Sequence, residues 1–399
     1  MLRCVIEGFD SQVRIAIVHD WLYTFGGAER VLRAMLRAYP SADVFTLFDV
    51  MSDEDRRRVG FSSATTSFLQ RMPGIRTRHR AYLPLMPLAI EQLDLSAYDL
   101  VLSSSYAVAK GVLTGPDQLH LSYVHSPMRY AWDLQHRYLA ESGLTRGLKS
   151  IMARVLLHSM RLWDNRTAHG VDAYMANSHF IARRIRKVYG READVIYPPV
   201  TVPETTPSQP RGGYFLIAAR LVPYKNVRAV VEAFAALPDQ KLIVVGTGPE
   251  LSRIREVAGD NVELRGFVPD AELQRLMAGA QAFVFAAEED FGIVMVEAQG
   301  QGAPLIALGR GGAREIVVSD GPTPTGMFFD EPEPEAIAAA VRRFLQRSTP
   351  FRAEDCHANA LRFSEHQFDV SFHNFVTTHL ARHRERLRAG TPLPLAAVA

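Results

Sequence analysis

The stretch FAAEEDFGIVMVEA at 285–298 contains the pair of residues with the clearest capacity for chemistry. Its carboxylates, Glu289 and Glu297, are eight positions apart, which is about 2.2 turns of an α-helix. This spacing predicts one carboxylate ahead of a helix and another about two turns inside it, so that both border one cleft. Because carboxylate oxygens accept hydrogen bonds, such a pair is suited to the neighbouring hydroxyl groups of a ribose or hexose.

Positive charge for an anionic ligand comes from a second segment and from the start of the same helix. The segment AARLVPYKN places Arg220 and Lys225 at a strand–loop–helix junction, where two cations can converge on a diphosphate. No acidic partner for Lys225 is apparent in the sequence. The backbone N–H groups of Phe291, Gly292 and Ile293 would add the positive end of the helix dipole. Together these groups predict a phosphate site.

Two segments in the first half of the chain also follow strands. In WLYTFGGAER, Gly26 and Gly27 open a helix and let backbone amides approach a phosphate or a sugar closely. In YVHSPMRYAWD, His125 stands at the carboxyl end of a strand, where open α/β sheets bind their ligands. Both segments therefore predict ligand contacts.

Short apolar runs alternating with amphipathic stretches must position these residues. Buried strands of parallel sheets are predicted at 14–20, 99–105, 119–125, 172–178, 214–220, 241–246, 261–267, 281–287 and 304–309. Helices are predicted at 27–39, 145–169, 179–190, 227–237, 271–280 and about 364–387. The five prolines between 198 and 213 predict a linker. The chain therefore reads as two doubly wound α/β units, with a last helix that packs back across the seam between them.

Composition excludes several classes of protein. The 399 residues carry 45 Lys and Arg against 43 Asp and Glu, a balance that argues against a dedicated nucleic-acid binder. Two cysteines, Cys4 and Cys356, form neither a disulfide framework nor a zinc site and indicate a reducing compartment. No apolar run is long enough to span a membrane, and the first residues do not read as a signal peptide. A cytoplasmic enzyme is expected.

The sequence matches neither of two common nucleotide-binding signatures, the dinucleotide fingerprint and the phosphate-binding loop. Gly246-Thr-Gly248 is the tight glycine pair between a strand and a helix, but the third position of the dinucleotide fingerprint is Leu251. A phosphate-binding loop ending in Gly-Lys-Ser/Thr does not occur. Hydride transfer and phosphoryl transfer are therefore disfavoured.

On these motifs the sequence resembles the retaining GT-B glycosyltransferases of family 4, and within them the bacterial polysaccharide mannosyltransferases. The resemblance implies two Rossmann-like domains facing a cleft, with a C-terminal helix crossing back to the first. It implies an acceptor-binding domain at 1–200, a domain for the nucleotide-sugar donor at 201–365, and a crossover helix and tail at 366–399.

The resemblance also assigns roles to the donor residues. It places Glu289 on the donor sugar, Glu297 on the ribose, and Arg220 with Lys225 on the diphosphate. The segment RGFVPDAEL would offer main-chain groups to the nucleobase around Val268, which leaves the identity of the base open.

Further family roles fall on the first domain. The loop at Gly26 and Gly27 would lie against the donor diphosphate and the acceptor, and His125 would contact the transferred hexose. Weaker acceptor assignments fall on the polar residues of the matching segments, namely Arg129, Asp133, Asn177, Ser178 and Arg183.

Neither a metal nor another cofactor is expected. In place of the Asp-x-Asp motif that holds a metal in the other common transferase architecture, Arg220, Lys225 and the helix N–H groups would supply the countercharge. The acidic cluster Asp53-Glu54-Asp55 precedes three arginines and reads as a solvated loop.

Two basic stretches without acidic residues predict contact with a membrane surface. Residues 67–90 contain Arg71, Arg76, Arg78 and Arg80 among apolar side chains, and residues 142–163 contain Arg146, Lys149, Arg154 and Arg161. Such stretches bind anionic headgroups at about 1 kcal/mol per cation. Core-packing helices with a solvated basic face remain an equal alternative. The expected location is cytoplasmic, with peripheral attachment at the inner face of the plasma membrane.

The resemblance thus implies transfer of a hexose to a lipid-linked saccharide in polysaccharide biosynthesis. Mannose from GDP-mannose is the favoured hexose. The same chemistry with a UDP- or dTDP-sugar, a nucleotide-sugar epimerase, and a non-catalytic sensor of sugar nucleotides remain alternatives. A sensor would be expected to have lost one of the charged pairs, and all four positions are intact.

Overall fold

The computed structural model describes residues 13–207 and 210–390, which divide into two compact units. Of the described residues, unit 1 comprises 13–198 and 368–390, and unit 2 comprises 199–207 and 210–367. Cys4 lies outside the described residues. Both units are built on parallel sheets with helical crossovers, which confirms the predicted fold class.

Unit 1 has a seven-stranded sheet in the order β3-β2-β1-β4-β5-β6-β7. Its elements are β1 (Ile15–His19), α1 (Gly27–Ala38), β2 (Asp43–Thr46), α2 (Asp53–Val59), β3 (Thr65–Thr66), α3 (Ile75–Arg78), α4 (Met86–Glu91), β4 (Leu100–Ser105), β5 (Leu119–Val124), α5 (Gln135–Glu141), α6 (Leu148–Thr167), β6 (Ala173–Ala176), α7 (His179–Tyr189) and β7 (Asp194–Val195). The central strands β1, β4 and β5 are buried along their whole length, as is typical of a parallel sheet that helices cover on both faces. Chain order reverses between β1 and β4, and ligands of such sheets bind at this switch point.

Unit 2 has a six-stranded sheet in the order β10-β9-β8-β11-β12-β13. Its elements are β8 (Tyr214–Ala218), α8 (Val227–Ala235), β9 (Lys241–Val245), α9 (Leu251–Val257), β10 (Val262–Gly266), α10 (Asp270–Gly279), β11 (Phe283–Phe285), α11 (Ile293–Gly300), β12 (Leu305–Leu308), α12 (Ala313–Ile316), β13 (Gly326–Phe329), α13 (Pro334–Leu345) and α14 (Ala353–Leu361). The chain order reverses between β8 and β11, so unit 2 repeats the topology of unit 1.

The last helix, α15 (Glu365–Ala389), returns the chain to unit 1. Phe368, Phe372 and Leu380 are buried in the same apolar core as β1 and α1. Near the end of the helix, His383 Nε2 lies 2.9 Å from the carbonyl oxygen of Asp117 in unit 1. The C-terminal helix is therefore part of the first unit's core, as the resemblance to the GT-B glycosyltransferases implied.

Candidate active site

The switch point of unit 2 brings two predicted donor residues together. Lys225 lies in the loop after β8 and Glu289 in the loop after β11, and Lys225 Nζ forms an ion pair with Glu289 Oε1. The two side chains are only 17% and 18% exposed. Asn226 Nδ2 makes a second link between these loops, donating to the carbonyl oxygen of Ala286 at 2.8 Å. Lys225 therefore has an acidic partner that was not apparent in the sequence, because Glu289 is distant along the chain and adjacent only in the fold.

The second predicted cation, Arg220, is exposed in the same loop. Its Nη2 donates to the hydroxyl of Tyr224 at 3.0 Å. The Lys225 ammonium lies 5.5 Å from the centre of the Tyr224 ring. Both cations of the pair therefore contact Tyr224, a residue that sequence reasoning did not single out.

The helix that carries Glu297 begins later than the spacing suggested. Gly292 has a left-handed φ of +97°, which interrupts the helical path, and α11 starts at Ile293. Glu297 is thus only about one turn inside the helix rather than two. The ring of Phe291 is buried against Phe363, with centroids 5.4 Å apart, so only the backbone of Phe291 is available to a ligand.

Two pairs of glycines, not predicted as site residues, allow the loops around the switch point to pack closely. A Cβ at Gly248 would lie 2.2 Å from the carbonyl oxygen of Leu221, in the loop of Arg220. A Cβ at Gly311 would lie 2.3 Å from the carbonyl oxygen of Glu289, which also accepts a 2.9 Å hydrogen bond from Gly312 N. The sequence signal was present, since the pair at 246 and 248 begins directly after β9 and the pair at 311 and 312 begins three residues after the end of β12.

The segment predicted for the nucleobase follows β10. Val268 is buried, so its side chain serves the core and its main chain is what remains for a ligand. Its neighbour Phe267 is 78% exposed, an unusual position for a large apolar ring. Sequence reasoning missed Phe267, although an aromatic ring beside a base-binding segment could stack on a base.

In unit 1, His125 lies at the carboxyl end of β5, close to the switch point. Its Nε2 is 2.8 Å from Ser104 Oγ at the end of β4, and the rings of Tyr106 and Tyr123 flank it. Loss of solvation lowers the pKa of His125 to about 3. The imidazole is therefore neutral at physiological pH and can accept or donate a hydrogen bond without carrying charge.

The loop after β1 meets the loop after β4 through Asp20, which was not predicted. The buried carboxylate of Asp20 accepts four backbone N–H bonds of 2.5–3.0 Å from residues 106–109. Burial raises the pKa of Asp20, and these hydrogen bonds oppose that rise. The sequence signal was an aspartate directly after a buried strand.

The predicted glycine loop is held by Glu29 of α1. Gly26 precedes the helix and Gly27 is its first residue, and Gly26 N donates to Glu29 Oε2 at 2.9 Å. Glu29 Oε1 lies 3.5 Å from Nε2 of the buried His19. The glycine loop and the end of β1 are thus joined through one carboxylate.

Of the five predicted acceptor residues, two lie at the edge of the sheet near His125 and three do not. Asn177 Nδ2 donates to the carbonyl oxygen of His125 at 2.9 Å, and Ser178 caps α7 by accepting from Ile181 N. Both polar groups therefore help to hold this edge of the sheet. Three predicted residues are engaged elsewhere or lie at the surface: Asp133 pairs with Arg184, Arg183 is exposed over Phe180, and Arg129 is half-buried.

Parts of the basic stretches form an exposed apolar and basic surface on unit 1. On α6 five apolar residues at helical spacing are between 59% and 72% exposed: Leu148, Ile151, Met152, Val155 and Leu162. The four arginines at 71, 76, 78 and 80 are exposed, as are Phe68, Leu85 and Leu88. Other members of the first stretch, such as Leu69 and Met86, are core residues. Within the described ranges no helix has the length and apolarity needed to cross a bilayer.

Groups that could bind metal are dispersed. Among residues 13–207 and 210–390, no three His, Cys, Asp or Glu side chains are grouped so that they could hold an ion. The acidic cluster Asp53-Glu54-Asp55 forms the first turn of α2 rather than a loop, because Ser52 caps the helix and the carboxylates favour its positive end. Cys356 is a buried free thiol, and burial raises its pKa to about 12.

Comparison with protein families assigns both halves of the chain. Residues 25–202 match the model described as Glycosyltransferase Family 4, and residues 203–362 match the model described as Glycosyl transferases group 1. Together the two matches cover most of the chain. The chain belongs to the group 1 and family 4 glycosyltransferases.

Curated relatives of this glycosyltransferase use different donors, according to their names. A GDP-mannose-dependent monoacylated alpha-(1-6)-phosphatidylinositol monomannoside mannosyltransferase of Corynebacterium glutamicum is 32% identical over 178 residues, covering 37% of this chain and 47% of the relative. The GtfA subunit of a UDP-N-acetylglucosamine–peptide N-acetylglucosaminyltransferase of Streptococcus gordonii is 30% identical over 187 residues. This match covers 44% of this chain and 35% of the relative. The matched part therefore spans less than half of either relative.

Solved structures agree on the fold of the glycosyltransferase. Anabaena HepE in complex with UDP matches with a TM-score of 0.66 and 18% identity, covering 92% of this chain and all of HepE. Sucrose-phosphate synthase of Thermosynechococcus elongatus matches with a TM-score of 0.68 and 17% identity, covering 93% of this chain and all of the synthase chain. These similarities establish the GT-B fold.

Proposed function

We propose that this glycosyltransferase moves a mannosyl residue from GDP-mannose to a lipid-linked saccharide, with retention at the anomeric carbon. The observation that carries the proposal is the Lys225–Glu289 ion pair at the switch point of unit 2. A cation and a carboxylate held together beside a helix start can serve the diphosphate and the sugar of one donor.

In the proposed reaction the protein stabilises the leaving group and positions the sugar. The bond between the anomeric carbon and the diphosphate oxygen breaks as the acceptor oxygen attacks from the same face. The acceptor's proton passes to the departing phosphate oxygen, so no side chain is needed as a nucleophile. Arg220, Lys225 and the N–H groups at Gly292 and Ile293 would stabilise the charge on the diphosphate, and Glu289 would orient the sugar.

Two observations bear on the identity of the donor. The relatives from Corynebacterium glutamicum and from Mycolicibacterium smegmatis, at 32% and 34% identity, are named as GDP-mannose-dependent. A second candidate is a UDP-sugar, because the Streptococcus gordonii relative is named for UDP-N-acetylglucosamine and the HepE structure contains UDP. Recognition of the base through main-chain groups around Val268 is compatible with either nucleotide.

The proposed lipid-linked acceptor is supported by the surface of unit 1. The exposed apolar residues of α6 alternate with Lys149, Arg154 and His158 and are free of acidic neighbours on that helix until Asp164. A surface of this kind suits an anionic bilayer, where an acceptor carried on a lipid diphosphate would be found. An epimerase acting on soluble nucleotide sugars would have no use for it.

A donor screen tests the proposed function. Thermal unfolding is followed with GDP-, UDP-, dTDP- and ADP-sugars, because a ligand that binds the native state raises the unfolding temperature by mass action. We expect GDP-mannose to give the largest shift. Incubation of GDP-mannose with the protein and an acceptor should then yield an α-linked product, with equal rates in the presence and absence of EDTA. Loss of activity in EDTA would contradict the metal-free site, and a β-linked product would contradict retention.

A further inference from the structure

A chain of polar side chains crosses the switch point of unit 1 below His125. Ser104 Oγ lies 2.8 Å from His125 Nε2 and 3.0 Å from His19 Nδ1, so one hydroxyl bridges two imidazoles. His19 and Ser104 are completely buried. The far nitrogen of His19, Nε2, makes no hydrogen bond with any described residue and lies 3.5 Å from Glu29 Oε1.

The numbers of donors and acceptors determine where the protons lie. A carboxylate only accepts, so with a single proton on the completely buried ring of His19, Glu29 favours that proton on Nε2. His19 Nδ1 must then accept the hydroxyl proton of Ser104. The Ser104 oxygen, having donated its proton, accepts from His125, which therefore carries its own proton on Nε2. This arrangement gives each of the two hydrogen bonds of Ser104 one donor and one acceptor, and leaves His19 Nε2 facing Glu29 at 3.5 Å.

We propose that Glu29, His19 and Ser104 hold His125 in the Nε2–H tautomer, so that its Nδ1 is a hydrogen-bond acceptor for a hydroxyl of the bound sugar. The assignment of a sugar to His125 rests on the proposed function. His19, Ser104 and Glu29 are positioning residues, since they act on the ligand only through His125.

The same chain links His125 to the glycine loop. Glu29 Oε2 accepts from Gly26 N, while its other oxygen faces His19. A ligand phosphate that moved the Gly26 amide would therefore shift the Glu29 carboxylate. That carboxylate faces His19, at the opposite end of the polar network from His125. The tautomer of His125 is in this way tied to the loop expected against the donor diphosphate.

The two central strands provide a matched control. Ser103 precedes Ser104 on β4, and its Oγ lies 2.9 Å from Nε2 of the buried His120 on β5. This pair has the same residue types and links β4 to β5, but both of its members are completely buried, whereas His125 follows β5 and is partly buried. Because side chains alternate along a strand, it lies on the opposite face of the sheet from His125. Ser103→Ala therefore removes a buried Ser–His contact without touching the chain.

The test combines NMR spectra of ¹⁵N-labelled histidines with steady-state kinetics on the full chain and GDP-mannose. In the unaltered protein we expect His125 to be protonated on Nε2 and unprotonated on Nδ1. In Ser104→Ala both tautomers of His125 should be populated, and kcat should fall at least tenfold while the donor KM stays within twofold. Ser104→Thr, which keeps a hydroxyl, should restore the single tautomer, and Ser103→Ala should change neither readout.

Two results would overturn the proposal. One is a His125 that carries its proton on Nδ1 in the unaltered protein. The other is a Ser104→Ala protein that keeps the single tautomer and the original kcat. Failure to turn over any nucleotide sugar would instead contradict the proposed function and remove the sugar as partner of Nδ1, while the spectra would still decide the tautomer.

Discussion

At the scale of single residues, the candidate site of unit 2 contains an ion pair between Lys225 and Glu289. Lys225 and Glu289 are both largely shielded from solvent, so their attraction is stronger than that of a surface pair. A donor that places phosphate on Lys225 and sugar hydroxyls on Glu289 gives each group a new partner. The ion pair thus keeps both side chains in place before binding.

The two carboxylates of the site should differ in what they contribute to binding. We expect Glu297→Gln to weaken the binding of free nucleoside diphosphate and of donor alike, since Glu297 is assigned to the ribose. Glu289→Gln should leave the binding of nucleoside diphosphate within about threefold and suppress turnover, because it releases Lys225 to the phosphate but loses the sugar contact. Calorimetry and kinetics on both variants measure this difference. Equal effects on nucleotide binding would refute the division of roles.

Sequence reasoning identified the residue types of this site but not their partnerships. The spacing of Glu289 and Glu297 and the cations at Arg220 and Lys225 were visible without coordinates. The Lys225–Glu289 pair was not, because it depends on two loops meeting across a switch point. His19 and Ser104 were also missed, since each resembles an ordinary polar residue ending a buried strand.

At the scale of elements, the loops around the switch point depend on glycines that permit close backbone approach. Gly311 has a φ of +60° and packs against the carbonyl oxygen of Glu289. A side chain there would push the Glu289 loop away, and the oxygen is backbone that cannot rotate aside. The position of Glu289 therefore depends on the loop after β12 as well as on its own loop after β11.

Gly311→Ala tests this dependence, with Gly321→Ala as its control. Both glycines have positive φ, +60° and +92°, so the backbone strain of alanine, about 1–2 kcal/mol, is shared. Only at Gly311 would the new Cβ meet another loop, whereas nothing lies within 4 Å of it at Gly321. We expect Gly311→Ala to lower kcat/KM at least tenfold and Gly321→Ala to leave it within twofold. Equal kinetics for the two variants would contradict the argument.

The exposed apolar and basic surface of unit 1 leads to a second prediction at this scale, which concerns binding to membranes. We expect the protein to sediment with vesicles containing acidic phospholipid and to be released as salt rises, because screening lengths fall to about 8 Å at physiological ionic strength and less above it. Replacing Leu148, Ile151, Met152 and Val155 by Ser, or the arginines at 71, 76, 78 and 80 by Gln, should abolish sedimentation.

Activity on a soluble acceptor analogue should survive in both vesicle variants, since the cations expected to bind phosphate, Arg220 and Lys225, belong to unit 2. Four exposed arginines of unit 2 provide a charge-matched control when replaced by Gln: Arg253, Arg255, Arg275 and Arg347. Sedimentation that is insensitive to salt, or absent, would leave α6 as a solvated helix with no role at a membrane.

The elements that the sequence predicted are the long and strongly apolar ones. The runs at 14–20, 119–125 and 241–246 became β1, β5 and β9 with ends shifted by at most one residue. β3 and β7 were missed because two-residue edge strands leave no periodicity to detect. β2 and β13 were missed as well, being four-residue strands without a long apolar run.

At the scale of the whole molecule, one topology occurs twice and each copy places its polar residues at its own switch point. In unit 1 these are His19, Ser104 and His125, and in unit 2 Lys225 and Glu289. The position follows from the order of parallel strands, because the loops after the two strands that flank the reversal run in opposite directions. The duplicated sheet explains why candidate chemistry appears in both halves of the sequence.

Buried histidines in unit 1 should make its stability depend on pH. Burial lowers the pKa of His120 from 6.5 to about 4, so the unfolded chain binds a proton below pH 6.5 that the folded chain does not. The contribution is complete above pH 6.5 and is lost as pH falls toward 4. We expect unfolding of unit 1 at pH 5 to need about 2 kcal/mol less than at pH 7.5 on account of this residue.

His120→Gln should remove that part of the pH dependence. Urea unfolding followed by tryptophan fluorescence measures it in unit 1, because the three tryptophans, at positions 21, 132 and 163, all belong to that unit. An identical loss of stability between pH 7.5 and 5 in the variant and the unaltered protein would show that His120 is not responsible.

The central claim, that the switch point of unit 2 binds the donor diphosphate, is tested most directly by Lys225→Ala beside Arg228→Ala. Arg228 is three residues further on, exposed on α8, and paired only with Glu232 among the contacts described for it. We expect Lys225→Ala to weaken nucleoside diphosphate binding about 10- to 150-fold, the worth of one charge-assisted contact, and to lower kcat/KM at least as far. Its unfolding temperature should fall by no more than a few degrees, because only Glu289 loses a partner, and Arg228→Ala should match the unaltered protein throughout. A Lys225→Ala protein with full activity and unchanged nucleotide affinity would contradict the account.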